Sequence, residues 1–205
     1  MKISVSKNFL NSLKYDGFSF LYNSHKNIWV TGAIAPTGKQ VTQEIIKYIE
    51  NDIPQCIVEI WSGTGVFTES ILKTMHPNSI LICIEINTDF VSKLQLKYPQ
   101  AHIYCDSAEK TEHYIKKHGY DCCDIIISGL PWVSFEKKMQ ESLLSHIHAC
   151  LEKGGKFSTF AYTWFHKTGK WRNFAHLVLT TFSHIDTSKT YFSNTPPAFV
   201  YHCTK

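Results

Sequence analysis

The sequence predicts an α/β fold: a mostly parallel, seven-stranded sheet with helices on both faces and an antiparallel C-terminal edge. Three observations carry this. Short apolar, β-branched runs alternate with amphipathic runs of helical period. Short loops join them, as in parallel strands linked by crossover helices. The last two apolar runs have no helix between them, so they pair as a hairpin.

The chain opens with a segment of uncertain helicity. Residues 5 to 22 place Phe9, Leu10, Leu13, Phe20 and Leu21 near one side of a helix, with Lys7, Asn11 and Lys14 on others. Gly17 weakens that helix. Two readings stay open: a helix packed on the domain, and a basic amphipathic segment lying in a lipid interface. Trp29 is either core or an interfacial anchor. TGAIAPTG (31–38) reads as a loop, and Val41 to Ile49 as a helix with Val41, Ile45, Ile46 and Ile49 on one face. The division is therefore an N-terminal extension over 1–40 and a domain over 41–205.

The first strand is Cys56 to Ile60. A small-residue turn, Ser62 to Gly65, leads into a helix that begins at Val66 and ends at Met75. Strands follow at Ile80 to Ile86, Ala101 to Cys105, Cys122 to Ser128 and Lys156 to Tyr162. Helices fall between them at Phe90 to Leu96, Glu109 to His118 and Phe135 to Leu151, the last closed by Gly154 and Gly155. A helix over Trp171 to Leu179 precedes the closing pair, Phe182 to Phe192 and Ala198 to Cys203, with Asn194 to Pro197 as their turn.

Composition narrows the class. A chain of 205 residues suits one well-buried domain. No apolar run is long enough to span a membrane, and the N-terminus lacks the pattern of a signal peptide, so a cytoplasmic protein is expected. Seven cysteines without a CxxC pair read as buried thiols. The histidine pairs 113/118 and 146/148 lack helical zinc spacing, so no metal is expected. Net charge is +4, and the first forty residues carry Lys2, Lys7, Lys14, Lys26 and Lys39 against Asp16. Localised positive charge implies an anionic partner, a phospholipid surface or a nucleic acid.

In an open α/β sheet, ligands bind outside the carboxyl ends of the strands. Four features fall there: the loop Trp61 to Gly65, Glu85, Asp106 with Ser107, and Ser128 to Trp132. Glycines let a backbone approach a ligand closely. A carboxylate at the end of the second strand suits a ribose diol, and Asp106 suits an adenine amino group. The loop does not fit the GxGxxG that a dinucleotide's pyrophosphate requires. S-adenosylmethionine has no phosphate and needs only a shorter loop.

The segments TGAIAPTG (31–38), VEIWSGTGVFTESIL (58–72), IEINTDF (84–90), IISGLPW (126–132) and NTPPAFVYHC (194–203) together resemble the class I S-adenosylmethionine-dependent methyltransferases, with their Rossmann-like fold. More narrowly they are similar to the bacterial phospholipid N-methyltransferases, relatives of the rRNA adenine dimethylases. The resemblance implies S-adenosylmethionine as cofactor and conversion of phosphatidylethanolamine towards phosphatidylcholine at an anionic membrane surface, by a peripheral protein. It implies that Gly63 and Gly65 line the methionine end, Glu85 holds the ribose, Asp106 and Ser107 hold the adenine, and Ser128 and Leu130 sit beside the methyl group. Thr37, Glu59 and Trp61 complete the expected cofactor set. Trp61 stands where the family has its first glycine, and a turn with positive φ there is strained by any side chain.

Trp132 and Tyr162 are the expected contacts to the acceptor amine, through cation–π attraction of about 0.5–2 kcal/mol. Glu59, Tyr162 and the histidines at 146 and 148 are the candidates for a base. Two other readings compete: an RNA adenine N6-methyltransferase, and a degenerate fold serving as a non-catalytic binding module. The first is disfavoured because the chain stops just after its last strand, where the dimethylases carry a helical domain. Trp61 is the motive for the second.

Overall fold

The computed structural model describes residues 37–165 and 168–205. Residues 5–22, Trp29 and residues 31–36, and with them nearly all of the expected extension, lie outside the described residues. The strands are β1 (Cys56–Ile60), β2 (Ile80–Glu85), β3 (His102–Cys105), β4 (Cys123–Ser128), β5 (Leu151–Tyr162), β6 (His184–Thr187) and β7 (Ala198–Thr204). The helices are α1 (Lys39–Ile45), α2 (Val66–Thr74), α3 (Thr88–Lys97), α4 (Thr111–Lys117), α5 (Lys137–Cys150) and α6 (Gly169–Thr181). One sheet runs β3-β2-β1-β4-β5-β7-β6, with β1 to β5 parallel and β7 antiparallel to both neighbours. This is the architecture expected from the alternating runs.

β1 is buried along its whole length, which is why it reads as a continuous apolar run. Its Ile57, with Ile125, Ile127, Leu81 and Cys83, packs beneath Val41 and Ile45 of α1, Phe67 and Ile71 of α2, and Val91 and Leu94 of α3. α5 buries Gln140, Leu143, Leu144, Ile147 and Cys150, a stripe at helical spacing. All seven cysteines are free thiols.

Two expectations are revised. Gly154 and Gly155 do not close a helix. α5 ends at Cys150 and the chain passes directly into β5, where the pairing jumps from Cys123–Leu151 to Ile125–Lys156. The glycines lie inside this bulge. Gly154 has φ 84°, and a Cβ on Gly155 would press on the carbonyls of Glu152 and Asp124 at 3.0 and 3.1 Å. A bulge and a helix cap both ask for glycine, so the sequence signal is the same for either. The strand expected over 182–192 is also short. After Thr187 the Ser188 hydroxyl accepts from Val200 N and donates to Lys189 O, drawing the chain out of the ladder.

α1 is fastened to the sheet by a buried polar chain. The Ser158 hydroxyl is hydrogen-bonded to His202 Nδ1 at 2.9 Å, and His202 Nε2 reaches Glu44 Oε1 at 3.1 Å. Glu44 Oε2 accepts from the Tyr191 hydroxyl at 2.6 Å. A carboxylate can only accept, so Nε2 carries the proton and Nδ1 accepts from Ser158. Burial holds His202 below the ordinary histidine range, so it is neutral at pH 7. Ser158→Ala leaves a buried acceptor unpaired. We expect a loss of about 1–2 kcal/mol in urea unfolding, with the m-value unchanged.

Candidate functional site

The strand order reverses between β1 and β4, so their carboxyl ends form the crevice of the sheet. The backbones of the two following loops touch there. Gly129 N donates to Ile60 O at 2.9 Å, and a Cβ on Gly129 would lie 2.6 Å from the Trp61 carbonyl oxygen. Trp61 N in turn donates to Ile84 O at 2.8 Å. Among the described residues, Trp61 is the one non-glycine with positive φ, at 66°. The indole is half-buried. The turn then uses two glycines in the left-handed region, Gly63 at 54° and Gly65 at 84°.

Gly65 is also demanded by packing. A Cβ there would meet Leu94 Cδ2 at 2.6 Å and Tyr98 Cε2 at 2.7 Å. The Tyr98 hydroxyl donates to Gly65 O and to Glu69 Oε2. Tyr98 ends α3 just before Pro99 and was not among the residues expected here. Its sequence signal was only that of a helix stop.

Glu85 joins the loops after β1 and β2. Its Oε2 accepts from Gly63 N and its Oε1 from Asn87 N, both at 2.8 Å. The carboxylate is buried. Beside it, Asp106 N donates to Glu85 O at 3.1 Å. Asp106 Oδ1 accepts from Ser107 N at 2.7 Å and Oδ2 from the Tyr114 hydroxyl at 2.8 Å. Ser107 accepts from Glu109 N and caps the short turn that follows.

Glu59 points under α2. Thr68 donates to its Oε2 at 2.6 Å, and the Cys83 thiol approaches the same oxygen at 3.4 Å. Ser62 stands close by and tempers the proton affinity of the carboxyl, and both Glu59 Oε1 and Ser62 Oγ are buried. Burial raises the Glu59 carboxyl from an ordinary 4.5 to about 7, with the Glu85 charge adding to the shift. Full burial removes Glu59 from the candidates for a base that meets substrate.

The loop after β4 is held from within. Ser128 Oγ accepts from Leu130 N at 3.2 Å, and Thr159 Oγ1 donates to Ser128 O at 3.1 Å. Leu130 is buried. The Trp132 indole is buried too. It donates to Thr159 Oγ1 at 3.0 Å, stacks on Phe174 at 4.8 Å between centroids, and meets Phe135 and Phe157 edge-on. This geometry makes Trp132 a packing residue beneath the loop. Tyr162, half-buried, ends β5, and burial raises its hydroxyl to about 12. It is therefore a neutral phenol at pH 7 and cannot serve as a base. His146 and His148 lie near the carboxyl end of α5, at the opposite edge of the sheet, where His146 Nε2 contacts the Cys150 thiol. That position removes them as candidates.

Thr37 leads into α1. Its neighbour Gly38 donates its N–H to Asn194 Oδ1 at 2.8 Å, across 156 positions of sequence. Asn194 Nδ2 donates to Pro196 O at 2.6 Å. One side chain thus ties Gly38 to the start of the segment 194–203. Sequence reasoning gave Asn194 only a turn.

No family model matches the chain. It is 26% identical over 147 residues to an ornithine lipid N-methyltransferase of Singulisphaera acidiphila, covering 70% of this chain and 76% of that one. It is 31% identical over 106 residues to a malonyl-[acyl-carrier protein] O-methyltransferase of Ilyobacter polytropus, covering 51% of this chain and 37% of that longer relative. Among solved structures, the O-methyltransferase of Bacillus cereus in complex with SAH superposes with a TM-score of 0.67 at 9% identity, over 97% of this chain and 96% of that one. The fold is the Rossmann-like fold of the class I S-adenosylmethionine-dependent methyltransferases.

The raised carboxyl of Glu59 has a measurable consequence. The folded state binds its proton more tightly than the unfolded state, so stability is greatest below pH 4.5 as far as this group is concerned and falls as pH rises towards 7. The contribution is about 3 kcal/mol across that window. Chemical denaturation of Glu59→Gln at a series of pH values should show this slope flattened.

Proposed function

We propose that this chain is an S-adenosylmethionine-dependent methyltransferase whose acceptor is the amine of a lipid headgroup. The enzyme class rests on the methyltransferase fold and on sequence similarity to two methyltransferases. The lipid acceptor rests on one observation, the similarity to an ornithine lipid N-methyltransferase over most of both chains. Both that lipid and phosphatidylethanolamine would take the methyl group on nitrogen. Among the described residues no helix is long and apolar enough to cross a membrane.

The cofactor fits the residues present. Glu59, buried against Thr68 and Cys83, and the buried Ser62 would support from behind the turn that receives the methionine end. Gly63 leaves the backbone open, since a Cβ there would meet nothing within 4 Å, while Gly65, covered by Leu94 and Tyr98, would serve by shaping the turn. Glu85 would hold the ribose hydroxyls, while Asp106 and Ser107 would border the adenine. Thr37 and Leu130 would close the crevice, with the Ser128 loop beside the reacting centre.

S-adenosylmethionine, when bound, supplies a methyl group on a sulfonium that leaves without acid assistance. The chain's task is alignment, and proximity accounts for most of the rate. Trp132 positions the Ser128–Leu130 backbone by packing and by its bond to Thr159. Tyr162, a neutral phenol at the end of β5, would attract a methylated ammonium through its ring. With Glu59 occluded and the histidines remote, the amine's proton passes to solvent water.

Two measurements test this reading. Label from S-adenosylmethionine should enter vesicle-borne phosphatidylethanolamine or ornithine lipid, and not RNA; label in RNA alone, or in nothing while the cofactor binds, overturns the lipid acceptor. Trp61→Gly should relieve about 1–3 kcal/mol of backbone strain. By calorimetry it should bind S-adenosylmethionine as tightly as the parent or more tightly. A clear loss of affinity would make the indole part of the site.

A further inference from the structure

The carboxyl edge of the sheet carries a second feature that the crevice does not use. Among the described residues, Trp164 is 68% exposed and Phe192 is 80% exposed. Trp164 lies in the turn directly after β5, two positions beyond Tyr162. Phe192 lies in the loop before β7. The two loops are one structure. Thr163 N and Thr163 Oγ1 both donate to Pro197 O, at 2.9 and 3.2 Å. The second loop is tied in turn to the start of α1, where Ser193 Oγ donates to Gln40 Oε1 at 2.7 Å and Asn194 holds Gly38. Both exposed aromatic side chains are thus carried on loops braced against one another at the carboxyl end of the sheet.

Such exposure is costly in water. The other exposed large apolar residues among those described, Ile53, Leu96, Tyr120 and Leu179, are scattered singly over other parts of the chain. The segments forming this rim (37–40, 131–136, 163–165, 168–172 and 188–197) contain four cations, Lys39, Lys170, Arg172 and Lys189, against one carboxylate, Glu136. That carboxylate is already paired with Lys170. Large aromatics interleaved with lysines match the boundary between lipid headgroups and acyl chains, where rings are buried and cations meet anionic phosphate.

We infer that this rim is a lipid-docking surface, with Trp164 and Phe192 entering an anionic bilayer interface and Lys39 and Lys189 meeting its phosphates, so that the acceptor side of the crevice faces the headgroups. The inference deepens the lipid reading above and rests on it. It predicts surface activation: the enzyme would act on a lipid in a bilayer faster than on the same headgroup dispersed in water.

The test uses the full chain and vesicles of phosphatidylcholine with or without phosphatidylglycerol. The parent should cosediment with the anionic vesicles, and less so as salt rises. Trp164→Ala combined with Phe192→Ala should weaken partition by about tenfold or more. Lys39→Glu combined with Lys189→Glu should weaken it by a similar factor and reduce its salt dependence. All four positions are exposed, so thermal midpoints should not move. The aromatic pair should also leave the rate on a short-chain, water-dispersed form of the lipid unchanged while lowering the rate on vesicles. Equal vesicle binding by parent and aromatic variant would overturn the inference. Loss of binding in that variant, with no lipid methylated in either form by the parent, would leave the docking surface standing and remove the lipid acceptor instead.

Discussion

The close approach of the Trp61 backbone to Gly129 is the constraint on which the crevice depends. Two parallel strands splay into opposite halves of the sheet at this point, and their following loops must turn away without colliding. Gly129 makes room by having no side chain, because a Cβ there would strike the Trp61 carbonyl. Trp61 keeps its carbonyl in that place with φ at 66°, a conformation costly for a bulky residue. The ladder bonds from Gly129 N to Ile60 O and from Trp61 N to Ile84 O hold it there. Strain at a ligand crevice is tolerated when the surroundings over-determine it, and here three strands do so.

Glu85 extends that constraint outward. By accepting from both Gly63 and Asn87, it locks the glycine turn to the start of α3. α3 then returns Tyr98 over Gly65, and Tyr98 is secured by Glu69. The turn is therefore clamped on two sides by groups more than twenty positions away in the chain. On the other side of the crevice, Thr159 acts as a relay, accepting from Trp132 and donating to Ser128. The indole expected at the acceptor is in this way a strut for the loop that borders it. A cation–π surface and a packing surface require the same side chain, so the residue type alone could not separate the two roles.

The sequence by itself determined the order of elements, the parallel character of the sheet and the position of the crevice loops, because apolar periodicity and glycine placement are local signals. It also marked Trp61, Glu85 and Asp106 as residues at strand ends. Tertiary structure decided what those positions do to one another: that Asp106 is held by Tyr114, that Glu59 lies occluded with a raised proton affinity, and that His146 and His148 are at the far edge. It decided that Gly154 and Gly155 shape a bulge, since cap and bulge draw on the same freedom at φ 84°. It alone joined Gly38 to Asn194 and set Trp164 beside the loop of Phe192. Contacts between residues remote in sequence leave no periodic trace in the chain, and only the folded sheet brings them within hydrogen-bond reach.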